Sequence, residues 1–477
     1  MRRRIPYIVL VLLFVLTACQ DPAADAAGSP SGEPSAGLSG GTPPPAGSAP
    51  VEEPTATPEP PIEYYIRDTA DRSRYIPAEH AEPDDGCRYY IADPEDSSRY
   101  IAVSLTEPSG SGSCGYEIRT VPALTQERLD AILNEVMEEY SAVSVSVAAI
   151  EDGEVTVSGA WGWAVKKRRE MTADTKVRVA SLSKLSVGLC AMAMAEDGIA
   201  ELDAPLSTYW GESVRNPYSK TQPSIYTLMT HTSSLADRGV QRGLSNLRSL
   251  LRTSWRNMEP GNGNRWSYSN FGFCVLGTTL ELAANETLDD YFQSRYLEPM
   301  GIRASLHAGK LEANEVACLY NASGAVERSA EQQTGQAIPK EIGRGASYFP
   351  GGLTVSAPDL ARLVAILAND GVYDGVRYLS PESVADMETP RFTVDPGDGA
   401  PFEQCLVIRR QEDLMGRASI CYHTGSAYGV YALLSYDPDT GDGVVVITVG
   451  APRRVNDRGL YTLCADLSQR LYAEMEG

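Results

Sequence analysis

The chain has 477 residues, of which 63 are acidic and 41 are basic, and its formal net charge is −22. A surface this acidic repels phosphate backbones, so the composition argues against a nucleic-acid partner. The four histidines, His80, His231, His307 and His423, form no zinc-binding motif, and we therefore expect no metal and no cofactor.

Residues 1–19 have the pattern of an export signal. Three arginines at positions 2–4 precede an apolar run over 5–16, which is shorter than the ~20 residues of a membrane-spanning helix. The segment ends in Leu-Thr-Ala-Cys19, which is similar to the bacterial lipobox, where the cysteine becomes the lipidated first residue. We expect an exported lipoprotein anchored to the membrane through Cys19. A plain signal peptide or an uncleaved anchor is the alternative.

Residues 20–61 have the composition of a flexible tether. They contain eleven prolines and no lysine, arginine or aromatic residue. Such a segment cannot bury enough apolar surface to offset the entropy cost of ordering it. We therefore expect it to hold the following domains away from the membrane.

Residues 62–123 are expected to form a small β module with an internal repeat. The segments YYIRDTADRSRYI at 64–76 and YYIADPEDSSRYI at 89–101 agree at nine of thirteen positions. Each copy has two β-prone stretches around a polar turn, which is typical of a hairpin. The module is either purely structural or a tyrosine-rich surface for cell-wall material. Cys87 and Cys114 bracket the second copy and are candidates for a disulfide in an oxidising compartment.

The remainder, 124–477, begins with an amphipathic helix, whose apolar residues recur at helical spacing: Leu129, Ile132, Leu133, Val136 and Met137. Strand-like stretches at 143–150 and 155–165 then flank a Glu-Asp-Gly-Glu turn, which indicates a hairpin. The apolar run over 443–450 predicts a buried strand near the C-terminus. Strands at both ends predict one sheet whose first and last strands meet, with helices supplied by the middle.

The first segment that suggests chemistry is Ala-Ser181-Leu-Ser183-Lys184, which precedes an almost wholly apolar helix ending near Asp197-Gly198. Residues three apart on a helix share a face, so Lys184 is expected beside Ser181. A buried lysine with a lowered pKa can take the proton of a serine hydroxyl, and the helix N-terminus offers N–H groups to an oxyanion. Ser183 has no lysine at the matching distance, so Ser181 is the better candidate nucleophile.

A second segment places Tyr268 and Asn270 two residues apart, after a glycine-rich loop. A tyrosine near Lys184 can act as a base or proton relay, and an asparagine amide can orient the lysine or hold a substrate carbonyl. A buried aromatic residue followed by an asparagine turn is the structural alternative.

A third segment, His423-Thr424-Gly425-Ser426, is expected at a strand edge. Glycine lets a substrate approach the backbone closely. The backbone N–H of Ser426 could therefore act as an oxyanion donor.

Together these segments resemble the penicillin-recognising serine hydrolases, which include class C β-lactamases, serine D-alanyl-D-alanine carboxypeptidases and related esterases. The family signatures S-x-x-K, Y-x-N and K/H-T/S-G occur in order as Ser181–Lys184, Tyr268–Asn270 and His423–Gly425. The resemblance extends over about 124–477. It implies an α/β fold of the β-lactamase-like, transpeptidase-like kind: an antiparallel sheet flanked by helices, plus a helical lobe, with the site in the cleft between them.

The resemblance also implies a role for each matching residue. Ser181 would be the nucleophile, Lys184 and Tyr268 its proton-transfer partners, and the N–H groups of Ser181 and Ser426 the oxyanion hole. The substrate-binding residues would be Asn270, His423, Thr424, Gly425 and Ser426. Ser181 would attack an amide, ester or lactam carbonyl to give an acyl-enzyme, which water or an amine releases.

His423 stands where class C β-lactamases usually have lysine. A lysine would be a fixed cation for a substrate carboxylate, whereas a histidine, with a reference pKa of about 6.5, is only partly charged near neutral pH. We therefore favour D-Ala-D-Ala carboxypeptidase-like or related peptidase or esterase chemistry, on cell-wall-derived or small substrates, over lactam hydrolysis. A non-catalytic receptor for wall fragments is the alternative of a different class. The natural substrate and the oligomeric state stay open.

Three weaker features remain. Cys405 and Cys421 lie symmetrically about Asp413 in a predicted hairpin and are candidates for a cross-strand disulfide. His231, in a Thr-His-Thr-Ser stretch, is interpreted as structural. The pair Gly351-Gly352 either lines the cleft or forms a tight turn.

Overall fold

The structure is a computed structural model that describes residues 63–68, 71–78, 89–92, 100–106, 117–120, 123–397 and 399–476. The export signal, Cys19, the tether, Cys87 and Cys114 lie outside these residues, so the lipid anchor and the first disulfide stay predictions. The described residues fall into two compact units. The first contains the described residues up to Ile66 and those within Ile76–Thr120. The second contains the described residues within Arg67–Tyr75 and those from 123 onward. None of the described helices has both the length and the apolar composition needed to cross a membrane.

The N-terminal strands follow the sequence repeat. They are β1 (Tyr65–Asp68), β2 (Asp71–Pro77), β3 (Tyr89–Ala92), β4 (Tyr100–Thr106) and β5 (Glu117–Thr120). They form one sheet in the order β2-β1-β3-β4-β5, in which Tyr65 on β1 pairs with Tyr90 on β3. These two tyrosines are equivalent positions of the two copies, so the copies pair with each other through their first strands. The expected small β module is confirmed.

The strands of the larger unit are β6 (Ser144–Glu151), β7 (Glu154–Val165), β8 (Arg169–Glu170), β9 (Val177–Arg178), β10 (Leu319–Tyr320), β11 (Val326–Arg328), β12 (Thr354–Val355), β13 (Val372–Tyr373), β14 (Val376–Arg377), β15 (Phe392–Val394), β16 (Phe402–Gln404), β17 (Arg409–Leu414), β18 (Arg417–Ala427), β19 (Val430–Tyr436) and β20 (Gly443–Val449). Nine of them form one antiparallel sheet in the order β15-β16-β17-β18-β19-β20-β6-β7-β8. Strand β6 pairs with β20 along its length, from Ser144 opposite Val449 to Ile150 opposite Gly443. The prediction that the first and last strands meet is therefore confirmed.

The helices are α1 (Gln126–Glu139), α2 (Ser183–Glu196), α3 (Ser207–Trp210), α4 (Ile225–Met229), α5 (Leu244–Leu251), α6 (Asn270–Ala284), α7 (Leu288–Phe292), α8 (Ala330–Thr334), α9 (Ala357–Ala368), α10 (Pro381–Glu388) and α11 (Thr462–Glu476). Helices α1 and α11 cover one face of the sheet, and α9 covers the other. Alternation along the central strands separates two cores, since Val444 and Val446 face α1 and α11 whereas Val445 and Ile447 face the remaining helices. Helices α2, α4, α6 and α7 pack together as the helical lobe, and the expected fold class is confirmed.

Helix α2 lies within the core that contains Val445 and Ile447. Its residues from Ser183 to Met194 are all buried, because a helix that is apolar nearly all round can pack neighbours on every side. It ends as expected, at Asp197, followed by Gly198 in the left-handed conformation with φ +68°.

The predicted disulfide between Cys405 and Cys421 is wrong, because both thiols are free and buried. The hairpin of β17 and β18 turns at Met415-Gly416, both of which have positive φ, rather than at Asp413. This register places Arg410 opposite Cys421, and Cys405 falls in the loop before β17.

Candidate active site

Ser181 lies in a 3₁₀ turn, Ala180–Leu182, that connects β9 to α2. The preceding Ala180 has φ +51°, a left-handed conformation that disfavours side chains. Two contacts fix the turn: the Ser183 hydroxyl donates to the Ala180 carbonyl at 2.6 Å and accepts from the Leu353 N–H at 2.9 Å. Both hydrogen-bonding functions of the Ser183 hydroxyl are thereby used within the protein, so Ser181 is the serine of this turn whose hydroxyl is suited to chemistry.

The amine of Lys184 is fully buried and lies among three oxygen atoms. Its Nζ is 3.2 Å from Ser181 Oγ, 2.9 Å from Asn270 Oδ1 and 2.8 Å from the carbonyl oxygen of Pro350. Burial lowers the pKa of Lys184 because it removes water from the ammonium, and interaction with Tyr268 opposes this in part. A neutral amine that donates to Asn270 and Pro350 directs its lone pair at the Ser181 hydroxyl.

Tyr268 and Asn270 are held at the start of α6 by partners that the sequence reasoning missed. Asp237 Oδ1 accepts from the Ser269 hydroxyl at 3.0 Å and from the Phe271 N–H at 2.8 Å. The Tyr268 ring centroid lies 4.7 Å from the Lys184 Nζ. Asn270 and Tyr268 therefore reach the lysine together, from one clamped loop.

His231 supports the same loop. Its Nδ1 accepts from the Ser269 N–H at 3.2 Å, and its ring centroid lies 4.5 Å from that of Tyr268. Burial and the nearby Lys184 lower the pKa of His231 well below its ordinary value. This neutral, buried imidazole fits the structural role that the sequence suggested.

The third segment lies on β18, directly beside the Ser181 turn. A methyl group on Gly425 would lie 2.5 Å from the Val179 carbonyl oxygen, so only glycine permits this approach. The last β18 residue paired with β17 is Tyr422, which leaves the edge from His423 onward open on that side. This open edge can accept a substrate as an additional strand.

The side chains of this segment point in two directions. Side chains alternate along a strand, so Thr424 and Ser426 point away from the face of Gly425. The Ser426 side chain lies near Tyr461 and opposes in part the rise that burial causes in the pKa of that tyrosine. What Ser426 offers the cleft is its backbone rather than its hydroxyl.

His423 is buried and differs from the expectation of partial charge. Burial, with Arg409 and Lys184 nearby, lowers the pKa of His423 well below its ordinary value. Its Nδ1 lies 2.8 Å from the Thr424 carbonyl oxygen, to which the protonated nitrogen of a neutral ring can donate. His423 is therefore neutral at physiological pH.

Arg409 is the cation that the sequence reasoning missed. It lies on β17, its guanidinium carbon is 4.3 Å from the Phe402 ring centroid, and its charge acts on Lys184, His231 and His423. Among the described residues no carboxylate lies within ion-pair distance of Arg409. The sequence could have indicated Arg409 only through its position on the strand that pairs with β18. That position is known only once the register of the hairpin is known.

Comparison with known proteins agrees with this geometry. The family model described as Beta-lactamase matches residues 129–467. Esterase EstB of Burkholderia gladioli is 28% identical over 298 residues, which cover 54% of this chain and 72% of the esterase. A D-aminopeptidase of Brucella anthropi is 28% identical over 189 residues, which cover 37% of this chain and only 35% of the aminopeptidase, so the chain spans about a third of that relative.

Two solved structures share the fold. A penicillin-binding protein homologue from Pyrococcus abyssi, described as octameric, has a TM-score of 0.57 and 20% identity, covering 74% of this chain and 78% of its own. The D-alanine carboxypeptidase AmpC from Burkholderia cenocepacia has a TM-score of 0.56 and 17% identity, covering 74% of this chain and 99% of its own.

Proposed function

Because this chain belongs to the Beta-lactamase family of serine hydrolases, we propose that it is an exported, lipid-anchored enzyme that works through an acyl-enzyme at Ser181. The observation that carries this proposal is the buried Lys184 amine, which is held by Asn270 and Pro350 and lies 3.2 Å from the Ser181 Oγ. A receptor that only binds wall fragments has no need of a desolvated amine at a serine.

The chemistry follows from the protonation state of Lys184. The neutral amine takes the proton of Ser181 as its oxygen attacks the substrate carbonyl, and the carbonyl oxygen becomes an oxyanion. The backbone N–H groups of Ser181 and Ser426 stabilise that charge. The proton then passes from Lys184, through the Tyr268 hydroxyl, to the leaving group as its bond to the carbonyl carbon breaks. Water repeats these steps on the acyl-enzyme and regenerates Ser181.

The charge of the cleft favours a substrate with a carboxylate on its leaving group. Burial is the main cause of the lowered pKa values of His231 and His423, and the guanidinium of Arg409 lowers both further. A positive cleft attracts a carboxylate and disfavours a free amino terminus. We therefore propose a D-Ala-D-Ala carboxypeptidase-like reaction, or a related reaction on peptides or esters. Lactam hydrolysis is the alternative.

Purified protein incubated with a fluorescent penicillin and a chromogenic ester tests the enzyme proposal. We expect Ser181 to be covalently labelled and the ester to be turned over, and Ser181→Ala to abolish both. Lys184→Ala and Tyr268→Phe should each slow acylation, by roughly a hundredfold for a lost proton-transfer group. Absence of both labelling and Ser181-dependent turnover would favour the receptor instead.

The membrane anchor is tested separately. Mass spectrometry of the membrane fraction should find a diacylglyceryl group on Cys19. A chain cleaved at another position and recovered in solution would contradict the anchor without affecting the proposed reaction.

A further inference from the structure

Tyr428 occupies the turn between β18 and β19, two residues after Ser426, and its ring lies close to two arginines. Its φ is +52° and its side chain is 36% exposed. The guanidinium carbons of Arg328 and Arg178 lie 4.4 Å and 5.1 Å from the centre of the ring. An aromatic ring at this distance from two guanidinium groups can interact favourably with both cations.

Neither arginine has an acidic partner among the described residues. Within the described part of the chain, no carboxylate lies within ion-pair distance of Arg178 or Arg328, although the whole sequence has 63 acidic and 41 basic residues. Arg178 is largely shielded from solvent, and burial lowers its pKa, with Arg328 acting in the same direction. Two neighbouring cations without a counterion repel each other, and a bound anion would relieve that repulsion.

The pair lies beside the nucleophile. Arg178 Nε donates to the Gly351 carbonyl at 2.7 Å, and a methyl group on Gly351 would lie 3.5 Å from the Ala180 carbonyl carbon. Gly351 thus packs on the residue before Ser181, which places Arg178 at the rim of the catalytic turn. The Gly351-Gly352 pair forms the tight turn that was one of its two alternatives, because both N–H groups donate to the Tyr348 carbonyl oxygen, and Gly351 also packs beside the Ser181 turn.

Tyr428 and Arg409 mark opposite ends of the open edge of β18. Tyr428 follows His423 by five residues, which corresponds to roughly 17 Å of extended strand. Ser426, the candidate oxyanion donor, lies between them. A substrate lying along this edge, with its leaving group toward Arg409, directs its acyl portion toward Tyr428.

We propose that Arg178, Tyr428 and Arg328 form a subsite for a carboxylate carried on the acyl portion of the substrate. The proposal rests on the proposed acyl-transfer function and narrows its substrate class to acyl groups with a second negative charge. The guanidinium groups bind the carboxylate, and the Tyr428 ring supports both by lying within cation–π distance of each.

The surroundings strengthen the local positive charge. Residues 166–169 read Lys-Lys-Arg-Arg and form the turn from β7 to β8. The Lys166 N–H donates to the Tyr320 hydroxyl at 2.8 Å. Tyr320 in turn lies against Gly429 of the Tyr428 turn. This basic run is therefore linked to the Tyr428 turn through Tyr320 and adds to its positive charge, which Glu331 offsets in part by its interaction with Arg168 and Arg169.

Two esters that differ only in the charge of the acyl portion test the proposal: the mono-p-nitrophenyl ester of glutaric acid and its methylated, neutral counterpart. We expect the wild-type kcat/KM to be about tenfold higher for the anionic ester at low salt, as for a hydrogen bond to a charged group. The preference should shrink as NaCl screens the charges.

Arg328→Gln should reduce this preference to about twofold or less, since one surviving cation binds the carboxylate weakly. Arg252→Gln is the matched control, because Arg252 is an exposed arginine already paired with Glu212, and it should keep the wild-type preference. Arg409→Gln should keep it too, because Arg409 serves the leaving group.

A wild-type preference of one or less would overturn the subsite, as would a preference that Arg409→Gln abolishes and Arg328→Gln leaves intact. The neutral ester tests the parent proposal by itself. If it is not hydrolysed in a Ser181-dependent manner, the acyl-transfer function fails, and the subsite fails with it.

Discussion

At the scale of single residues, Lys184 is in an unusual position. Its three oxygen neighbours could satisfy all the donors of an ammonium, yet burial favours the uncharged amine. Asn270 and Pro350 present dipoles rather than a full negative charge, so they oppose this lowering of the pKa less than a carboxylate would. Replacing one of these dipoles by a charge should therefore shift the titration of Lys184.

Asn270→Asp should move the acid limb of the pH profile of kcat/KM for a neutral ester upward by about one to three pH units. A carboxylate 2.9 Å from Nζ favours the ammonium and raises its pKa. The enzyme then needs a higher pH to hold Lys184 neutral. The control is Asn246→Asp, which adds the same charge on the exposed side of α5. An unchanged acid limb in Asn270→Asp would exclude neutral Lys184 as the base.

Arg409→Gln should raise KM about tenfold for a peptide ending in D-Ala-D-Ala, and much less for the same peptide with a terminal amide. The measurement is D-alanine or D-alaninamide release across a concentration series. Arg410→Gln is the matched control, since Arg410 is the next residue on β17 and donates to the Ser419 hydroxyl at 2.7 Å instead. Equal effects on both peptides would contradict carboxylate recognition by Arg409.

The sequence indicated some site residues and not others. Helical spacing placed Lys184 beside Ser181, and the motif order brought in Asn270. Asp237 and Pro350 reach the site from irregular loops, whose path has no periodic signal. The place of Arg409 beside the site depends on the register of β17 and β18, and the turn between these strands was expected at the wrong residue.

At the scale of elements, the site depends on how closely β18 approaches the Ser181 turn. Gly425→Ala places a methyl group 2.5 Å from the Val179 carbonyl oxygen, and two backbone segments must separate. A displacement of this size should lower kcat about a hundredfold and reduce the free energy of unfolding by about 1–3 kcal/mol.

The control for this variant is Gly345→Ala. A methyl group at Gly345 finds its nearest neighbours at 3.7 Å, and φ there is −79°. Denaturant unfolding and ester turnover should both remain close to wild type. Gly425→Ala with wild-type kcat would show that the approach of β18 is unimportant for catalysis.

Turn chemistry explains which hairpin the sequence predicted well. Asp152-Gly153, with φ of +55° and +82°, joins β6 to β7 where the Asp-Gly signal predicted it. Gly416, with φ +85°, was the corresponding signal for β17 and β18. The symmetric spacing of Cys405 and Cys421 about Asp413 indicated a turn at a different residue, and the disulfide prediction is wrong for that reason.

At the scale of the whole molecule, one buried acid links pH to stability. Glu281 on α6 is 1% exposed, accepts the N–H groups of Gly343 and Leu288, and has its pKa raised by burial to about 7. The folded chain therefore binds more protons than the unfolded chain between pH 4.5 and 7. Its stability falls as pH rises through that window, in total by roughly 3 kcal/mol from this group.

Glu281→Gln should remove this pH dependence, since glutamine does not titrate. Thermal or urea unfolding at pH 5 and pH 8 measures the slope. Mispaired amide hydrogen bonds in the variant cost stability equally at both pH values, so the slope is the informative quantity. Glu286→Gln, an exposed neighbour, should keep the wild-type slope. A slope that survives in Glu281→Gln would place its origin in other groups.

The overall architecture was accessible from the sequence only in outline. Apolar runs at both ends predicted that β6 and β20 would meet. The order of β15 to β18 and the packing of the helical lobe depend on contacts between residues far apart in the chain, which no local pattern encodes.

The pairing of β6 with β20 also has a consequence for synthesis. Until the residues of β20 have left the ribosome, both β6 and β19 lack a central neighbour and present unpaired backbone edges. The sheet can close only after the residues of β20 have been translated, so the pairing of β6 forms late in synthesis. For the exported enzyme proposed above, this late pairing would leave the cleft unassembled while most of the chain is being made.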